Sequence, residues 1–365
     1  MKRLYAAASL LVSLGLSLAA CEVIVRVWDG MPLWPPQDMI GYRASFLTVQ
    51  HLTGEYDPLL GWRQRANVRF PGYTFGELGV RMNSSDASQR PLAPGAVVAV
   101  GDSFTAGSEV ADAETWPAQL ERLIDRPVIN AGVGGYGTDQ MILRAESLLP
   151  VLQPSAVVVG ILDDDINRAG YQTYGGAPKP WFEVAGGRLV HHNDPVPLPS
   201  ADEGQSAPSW LAYSYLAVWA TERAGYGHIW QRQTFTRVKN DTVAVTCALL
   251  DRLKRSVAHI PLYVVMIYAG IDRMGTMDTA VEKSAPLAVT ACSARLGIVT
   301  IDLMHELVDL ARNDPVAYRG LYHSYDQRPG VYGHMTAAGN AFVARRIATR
   351  MAVPDTGRPS VSVRQ

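Results

Sequence analysis

The chain has 365 residues, 48% of them hydrophobic and 18% charged, with 33 lysines and arginines against 34 aspartates and glutamates and a formal net charge of −1. That composition excludes a disordered or wholly membrane-embedded chain and can fill one large core or two modest ones. The near balance of charge gives no global field for a polyanion, so nucleic acid is not an expected partner.

At the N-terminus, Met1-Lys2-Arg3 precedes an apolar stretch from Leu4 to Ala20, with Glu22 and Arg26 beyond it. A basic start, a long hydrophobic segment and a polar exit predict a signal peptide or membrane anchor over residues 1–26. The rest of the chain is then expected outside the cytoplasm, membrane-anchored and facing the periplasm or cell exterior. Leu18-Ala19-Ala20-Cys21 resembles the lipobox of bacterial lipoproteins, in which the cysteine is lipidated. An uncleaved helix in which Cys21 is an ordinary small residue is the other reading.

Residues 27–95 are rich in turn residues, including Trp34-Pro35-Pro36, Tyr56-Asp57-Pro58 and Gly61-Trp62, and predict an extended lead-in with a small β-rich element. From residue 96 the texture changes. Val98–Val100, Val128–Asn130, Ala156–Gly160, Leu262–Ile267 and Ile298–Ile301 are short β-branched runs that read as buried strands. Helical patterns over Glu114–Asp125, Asp139–Leu149, Asp241–Ala258, Ala280–Leu296 and Thr336–Met351 lie between or after them. Strands alternating with helices predict an α/β domain over 96–352 built on a parallel sheet covered on both faces. The interval 168–238 interrupts the alternation with a hairpin over Phe182–Val190 turning at Gly186-Gly187 and a helical stretch Trp210–Arg223. Such an insertion is either a lid carrying Lys179-Pro180, Trp181 and Phe182 or a surface elaboration. Residues 353–365 read as a disordered tail. Cys247 and Cys292 fall in helical stretches, where they either pair or stay as buried thiols. No cysteine and histidine spacing suggests zinc, and the Asp163–Asp165 run reads as a strand-end turn, not an oxygen-ligand cage.

The first strand of the domain ends in Gly101-Asp102-Ser103-Phe104. A serine at the carboxyl end of a parallel strand lies in the crevice where open α/β sheets bind ligands, although a serine there can equally cap a helix. As a nucleophile it needs a base within hydrogen-bond reach. His334 is the best candidate, because it follows the Gly330–Gly333 turn region and precedes a helix whose apolar residues dock on the sheet.

Four segments in order, Gly101-Asp102-Ser103-Phe104-Thr105-Ala106-Gly107, Asn130-Ala131-Gly132-Val133-Gly134-Gly135-Tyr136-Gly137, Gly160-Ile161-Leu162-Asp163-Asp164-Asp165 and His334-Met335-Thr336-Ala337-Ala338-Gly339-Asn340, resemble the successive blocks of SGNH/GDSL hydrolases. The lead-in Tyr56–Trp62 and Gly79-Val80-Arg81 resembles segments of membrane-anchored bacterial members. The resemblance implies a three-layer α/β/α flavodoxin-like fold with a five-stranded parallel sheet. It also implies Ser103 as nucleophile, His334 as base, and an oxyanion held by the backbone N–H groups of Ser103 and Gly135 and by an asparagine side chain. Two positions depart from the pattern. Asp164 stands in the asparagine slot as the third expected oxyanion residue; an ionised carboxylate has no proton to donate, so either Asp164 is protonated, or it points away, or Asn167 or backbone groups substitute. Val331 stands where the family has its acid, so Asp326 is the nearest candidate partner for His334, with Asp302 a second. The expected activity is serine-dependent hydrolysis of a small-molecule or glycan ester, an acylated carbohydrate or envelope component, without cofactor or metal. Acyl transfer to a polysaccharide and a non-catalytic binding or assembly role are the alternatives.

Overall fold

The structure, a computed structural model, describes residues 2–28, 33, 54–86, 92, 94–198, 214–223, 235–270, 284–324 and 332–352. In chain order it begins with helix α1 (Lys2–Trp28) and the short strands β1 (Gly54–Asp57), β2 (Gly61–Gln64), β3 (Val68–Phe70) and β4 (Tyr73–Phe75). The domain opens with β5 (Val97–Gly101), α2 (Ser103–Ala106), α3 (Trp116–Ile124), β6 (Val128–Asn130), α4 (Thr138–Leu152), β7 (Ala156–Leu162) and α5 (Asp163–Arg168). The insertion follows as β8 (Tyr171–Tyr174), β9 (Ala177–Pro178), β10 (Trp181–Ala185), β11 (Arg188–His192), α6 (Tyr215–Arg223) and β12 (Phe235–Arg237). The chain then returns through α7 (Thr242–Val257), β13 (Leu262–Ile267), α8 (Ser284–Arg295), β14 (Val299–Asp302), α9 (Met304–Asn313), α10 (Pro315–Arg319), β15 (Tyr322–Ser324), β16 (Tyr332–Met335) and α11 (Ala337–Ala352).

The five β-branched runs become one parallel five-stranded sheet in the order β14-β13-β7-β5-β6. Every residue of the central strand β7 is buried, as a strand covered on both faces requires. The helices that flank the sheet associate as α3 with α11 and as α4 with α7. Their ends follow local chemistry: the Thr115 hydroxyl accepts from Ala118 N–H to start α3, and the Asp241 carboxylate accepts from Val243 and Ala244 N–H to start α7. Strand order reverses between β5, whose next strand in sequence lies on one side, and β7, on its other side. This is the switch point at which open sheets leave a crevice beyond their carboxyl ends, and Ser103 stands at its edge.

Cys247 of α7 and Cys292 of α8 form a disulfide, which resolves the alternative left by the sequence. The bridge closes a loop with a sequence separation of 45. Replacing both cysteines by serine is expected to lower unfolding free energy by about 2–4 kcal/mol. Chemical denaturation of the oxidised protein and of the double variant, read as a change in midpoint at constant slope, checks this.

The expected anchor is corrected. Among the described residues no helix is long and apolar enough to cross a membrane. Glu22 and Arg26, read from sequence as a polar exit, lie inside α1 as an i,i+4 ion pair. The Glu22 carboxylate also accepts hydrogen bonds from the Ser214 hydroxyl and the Tyr215 and Leu216 N–H groups, tying α1 to the start of α6. The membrane as a partner and the membrane-anchored localisation expected from the segment therefore do not stand. Cys21 is an exposed free thiol.

Part of the described insertion is packed into the domain. Lys179 is fully buried against Asp139 of α4, Phe182 is fully buried in the core, and Trp181 stacks on His192 across the β10–β11 hairpin with ring centroids 3.9 Å apart. Of the lid residues expected from sequence, Lys179 and Phe182 thus serve packing. The strand β8 pairs with β12 and β9 in a separate three-stranded sheet.

Candidate functional site

Ser103 begins α2 immediately after β5, with Asp102 as the N-cap: Phe104 N–H donates to Asp102 Oδ1 at 2.8 Å. The carbonyl of Ser103 accepts from Gly107 N–H at 2.9 Å, closing the turn. Thr105 of the same turn lies where a Cβ on Gly101 or Gly160 would fall, so both strand-end glycines are needed for α2 to seat on the sheet.

His334 arrives from β16, which pairs antiparallel with β15. Its Nε2 lies 2.9 Å from Ser103 Oγ, and its ring packs on Phe104 with centroids 5.1 Å apart. Thr336, just beyond, starts α11 by accepting from Gly339 N–H, so the imidazole sits between a strand and a helix that both fix its backbone.

On the other face of the ring, Nδ1 lies 3.4 Å from Glu109 Oε1. This separation is an ionic contact, longer than an ordinary hydrogen bond, and Nδ1 has no hydrogen-bond partner among the described residues. Burial resists ionisation of Glu109. The contact with the His334 ring, the charges of His334 and His323 and the His334 backbone N–H outweigh that and hold its carboxyl below the usual glutamate range. A carboxylate facing Nδ1 favours the tautomer protonated there, which turns the lone pair of Nε2 toward the serine hydroxyl. The side chains of His334 and Glu109 are 20% and 28% exposed, so the group is open to a reactant.

The serine hydroxyl has a second acceptor within reach, Asp102 Oδ2 at 3.3 Å. Arg168 Nη1 donates to that same oxygen at 3.1 Å and to Asp165 Oδ1 at 2.7 Å, while Arg168 Nε donates to Asp164 Oδ2 at 3.0 Å. The guanidinium thereby draws charge from Asp102 and leaves His334 the better acceptor for the serine proton. Its carboxylate neighbours, Asp165 above all, hold the Arg168 charge in place against burial. Burial and the Asp102 charge push the Asp165 carboxyl well above its ordinary range, and burial with the Asp164 charge pushes Asp163 up to about 6.

The glycine-rich segment after β6 packs directly on this turn. Val133 N–H donates to Gly101 O at 3.0 Å, and a Cβ on Gly132 would fall 2.4 Å from Ala106 N. Gly135 has φ +77°, a left-handed conformation suited to glycine. The neighbouring Gly134 carbonyl accepts from Trp62 Nε1 at 3.2 Å and the Tyr136 hydroxyl donates to Trp62 O at 2.6 Å, so the N-terminal strands brace the loop.

Of the residues singled out by sequence, Ser103 and His334 are brought together. No hydrogen bond or ion pair among the described residues joins Asp164 to Ser103; its side chain is 55% exposed and bound to Arg168. Asn167 is exposed. Asp302 accepts from the Tyr268 hydroxyl and caps α9 through Met304 N–H, a structural use. Asp326 and Val331 lie outside the described residues. Sequence reasoning missed Glu109 and Arg168. The only signal for Glu109 in the sequence is an acid in the loop directly after the serine turn.

No known family profile matches the sequence, and no curated protein matches it. Among solved structures, the chain is similar to an acetylxylan esterase from Geobacillus stearothermophilus at 12% identity, covering 72% of this chain and 96% of that one with a TM-score of 0.41. It is similar to a member of the lipolytic protein G-D-S-L family from Veillonella parvula DSM 2008 at 12% identity, covering 69% and 96% with a TM-score of 0.38. A third similarity is to TesA, at 13% identity, 70% and 98% coverage and a TM-score of 0.38. Likenesses this distant carry no argument about chemistry, which has to come from the site itself.

Proposed function

We propose that the chain is a serine-dependent hydrolase of carboxylic esters. The observation that carries this reading is the 2.9 Å contact between Ser103 Oγ and His334 Nε2 at the switch point of a parallel sheet. Ser103 Oγ attacks the ester carbonyl carbon as its proton passes to His334 Nε2, and the carbonyl π pair moves onto oxygen. The backbone N–H groups of Ser103 and Gly135 are the proposed donors to that oxyanion. Collapse of the tetrahedral intermediate breaks the bond to the alkoxy oxygen, which takes the proton from His334 and leaves as the alcohol. Water, deprotonated by His334, then attacks the acyl-serine, and collapse of the second intermediate breaks the bond to Ser103 Oγ, which takes the proton back from His334 as the acid is released. Glu109 stabilises the imidazolium formed in each half and keeps its orientation, the role the sequence assigned to Asp326.

The full chain is expected to turn over p-nitrophenyl acetate in a Ser103-dependent manner. Hydrolysis unchanged in Ser103→Ala contradicts the reading; release of p-nitrophenol only when a glycan acceptor is added points to transfer instead.

Glu109 gives a sharper test. It has φ +71°, a conformation that costs a residue with a Cβ about 1–2 kcal/mol. Glu109→Gly is therefore expected to raise stability by up to about 1 kcal/mol while lowering kcat by about 10²- to 10⁴-fold, and Glu109→Gln to lower kcat similarly without the gain in stability. Thermal denaturation beside steady-state kinetics on the same preparations separates the two effects.

A further inference from the structure

Glu109 is held in place by the strands that precede the domain. Its backbone N–H donates to the Tyr73 hydroxyl of β4 at 2.8 Å. Arg81, fully buried with its guanidinium carbon over the Tyr73 ring 4.3 Å from the centroid, grips the loop on both sides of Glu109. Its Nη1 donates to the carbonyls of Ala106, at 2.7 Å, and Gly107, its Nη2 to those of Val110, at 2.6 Å, and Gly72, at 3.0 Å, and its Nε to Asp112 Oδ1 at 3.0 Å. The same Asp112 oxygen accepts from Thr74 N–H at 3.1 Å, and the Arg81 backbone N–H donates to Asn130 O at the end of β6 at 2.8 Å. A loop whose carbonyls converge on one buried guanidinium cannot shift without breaking charge-assisted hydrogen bonds. The residue at its tip is kept in a conformation that an L side chain rarely adopts.

We propose that Tyr73 and Arg81 are positioning residues for Glu109, so that the N-terminal strands complete the His334 side of the site. This rests on the hydrolase reading given above. Such strain is kept where surrounding structure over-determines it, and here the over-determining groups come from the layer outside the α/β domain. A carboxylate 3.4 Å from Nδ1 is close to the limit of usefulness, and displacement by one ångström removes it from the ring.

Tyr73→Phe in the full chain keeps the ring beneath Arg81 and removes only the hydroxyl, whereas Arg81→Gln risks failing to fold. Two readouts apply, steady-state kinetics and the downfield Nδ1–H proton resonance of His334 in water. The wild type is expected to show that resonance and Glu109→Gln to lack it. Tyr73→Phe is expected to shift or broaden it and to lower kcat by about 10-fold at unchanged KM. In a Glu109→Gln background, Tyr73→Phe is expected to lower kcat no further, because its effect passes through the carboxylate. An equal fall in both backgrounds, an unchanged resonance and kcat with only an earlier melt, or no downfield resonance in the wild type overturns the proposal. Should the wild type show no Ser103-dependent turnover, the hydrolase reading fails, and the resonance still reports whether Tyr73 places Glu109.

Discussion

Replacing Ser103 by alanine is expected to lower kcat for an ester substrate by about 10⁴- to 10⁶-fold while changing unfolding free energy by less than about 1 kcal/mol. The two expectations separate because the hydroxyl carries little of the fold. The N-cap of α2 is Asp102, and the turn is closed by the Ser103 carbonyl, neither of which changes in the variant. What is lost is the hydroxyl oxygen that lies 2.9 Å from His334 Nε2. His334→Ala is expected to cost a comparable factor, and the double variant little more than either, since nucleophile and base act as one unit. Titration of active sites under single-turnover conditions distinguishes this from contamination: a residual rate above the predicted floor that scales with wild-type carry-over disappears on repurification. A Ser103→Ala protein with wild-type kcat would remove the site from this part of the sheet.

Lys179→Met is expected to cost about 3–5 kcal/mol of stability, the largest effect outside the reactive centre. Lys179 and Asp139 have fully buried side chains and form an ion pair, and Lys179 Nζ also donates to Tyr171 O at 3.1 Å and Pro180 O at 2.9 Å. Methionine fills the space but leaves a buried carboxylate and the carbonyls of Arg168, Tyr171 and Pro180 without this donor. Burial already raises the Asp139 carboxyl above its ordinary range and lowers the Lys179 ammonium, each offset by the other's charge. The pH dependence follows from the sign. A carboxyl whose folded pKa lies above its unfolded value binds more protons when folded, so its unfavourable contribution is full above the raised folded value and fades as pH falls through it toward the unfolded one. The deficit of Lys179→Met against wild type should therefore shrink on acidification, and Asp139→Asn with Lys179→Met should recover part of it. Denaturant unfolding at a series of pH values measures both. The pair matters to the site because Asp139 lies in the first turn of α4, directly after the glycine segment that contains Gly135.

The sheet was legible because its strands are continuous β-branched runs: Leu262–Ile267 is β13 to the residue, and Val128–Asn130 is β6. Helix starts were legible where a side chain caps them, as at Asp241. Ser103 and His334 were legible because each sits at the end of such a run or the start of such a helix. Glu109 was not, since its tie to His334 is tertiary and its backbone conformation, φ +71°, would favour glycine. Lys179-Pro180 read as a turn in a lid or surface elaboration, because a lysine is seldom buried without a partner and nothing local reveals that Asp139 is that partner. The N-terminal segment misled for the reverse reason: its continuous apolar run is a local feature, whereas the bonds from Glu22 to the start of α6 are not.

The central claim is that Ser103 is a nucleophile activated by His334. Reaction of the full chain with a fluorophosphonate, followed by digestion and mass spectrometry, tests it most directly. The account predicts a single phosphonyl adduct on the peptide containing Ser103, formed far more slowly in His334→Ala and absent in Ser103→Ala. An adduct on another residue, or none in the wild type, would contradict it.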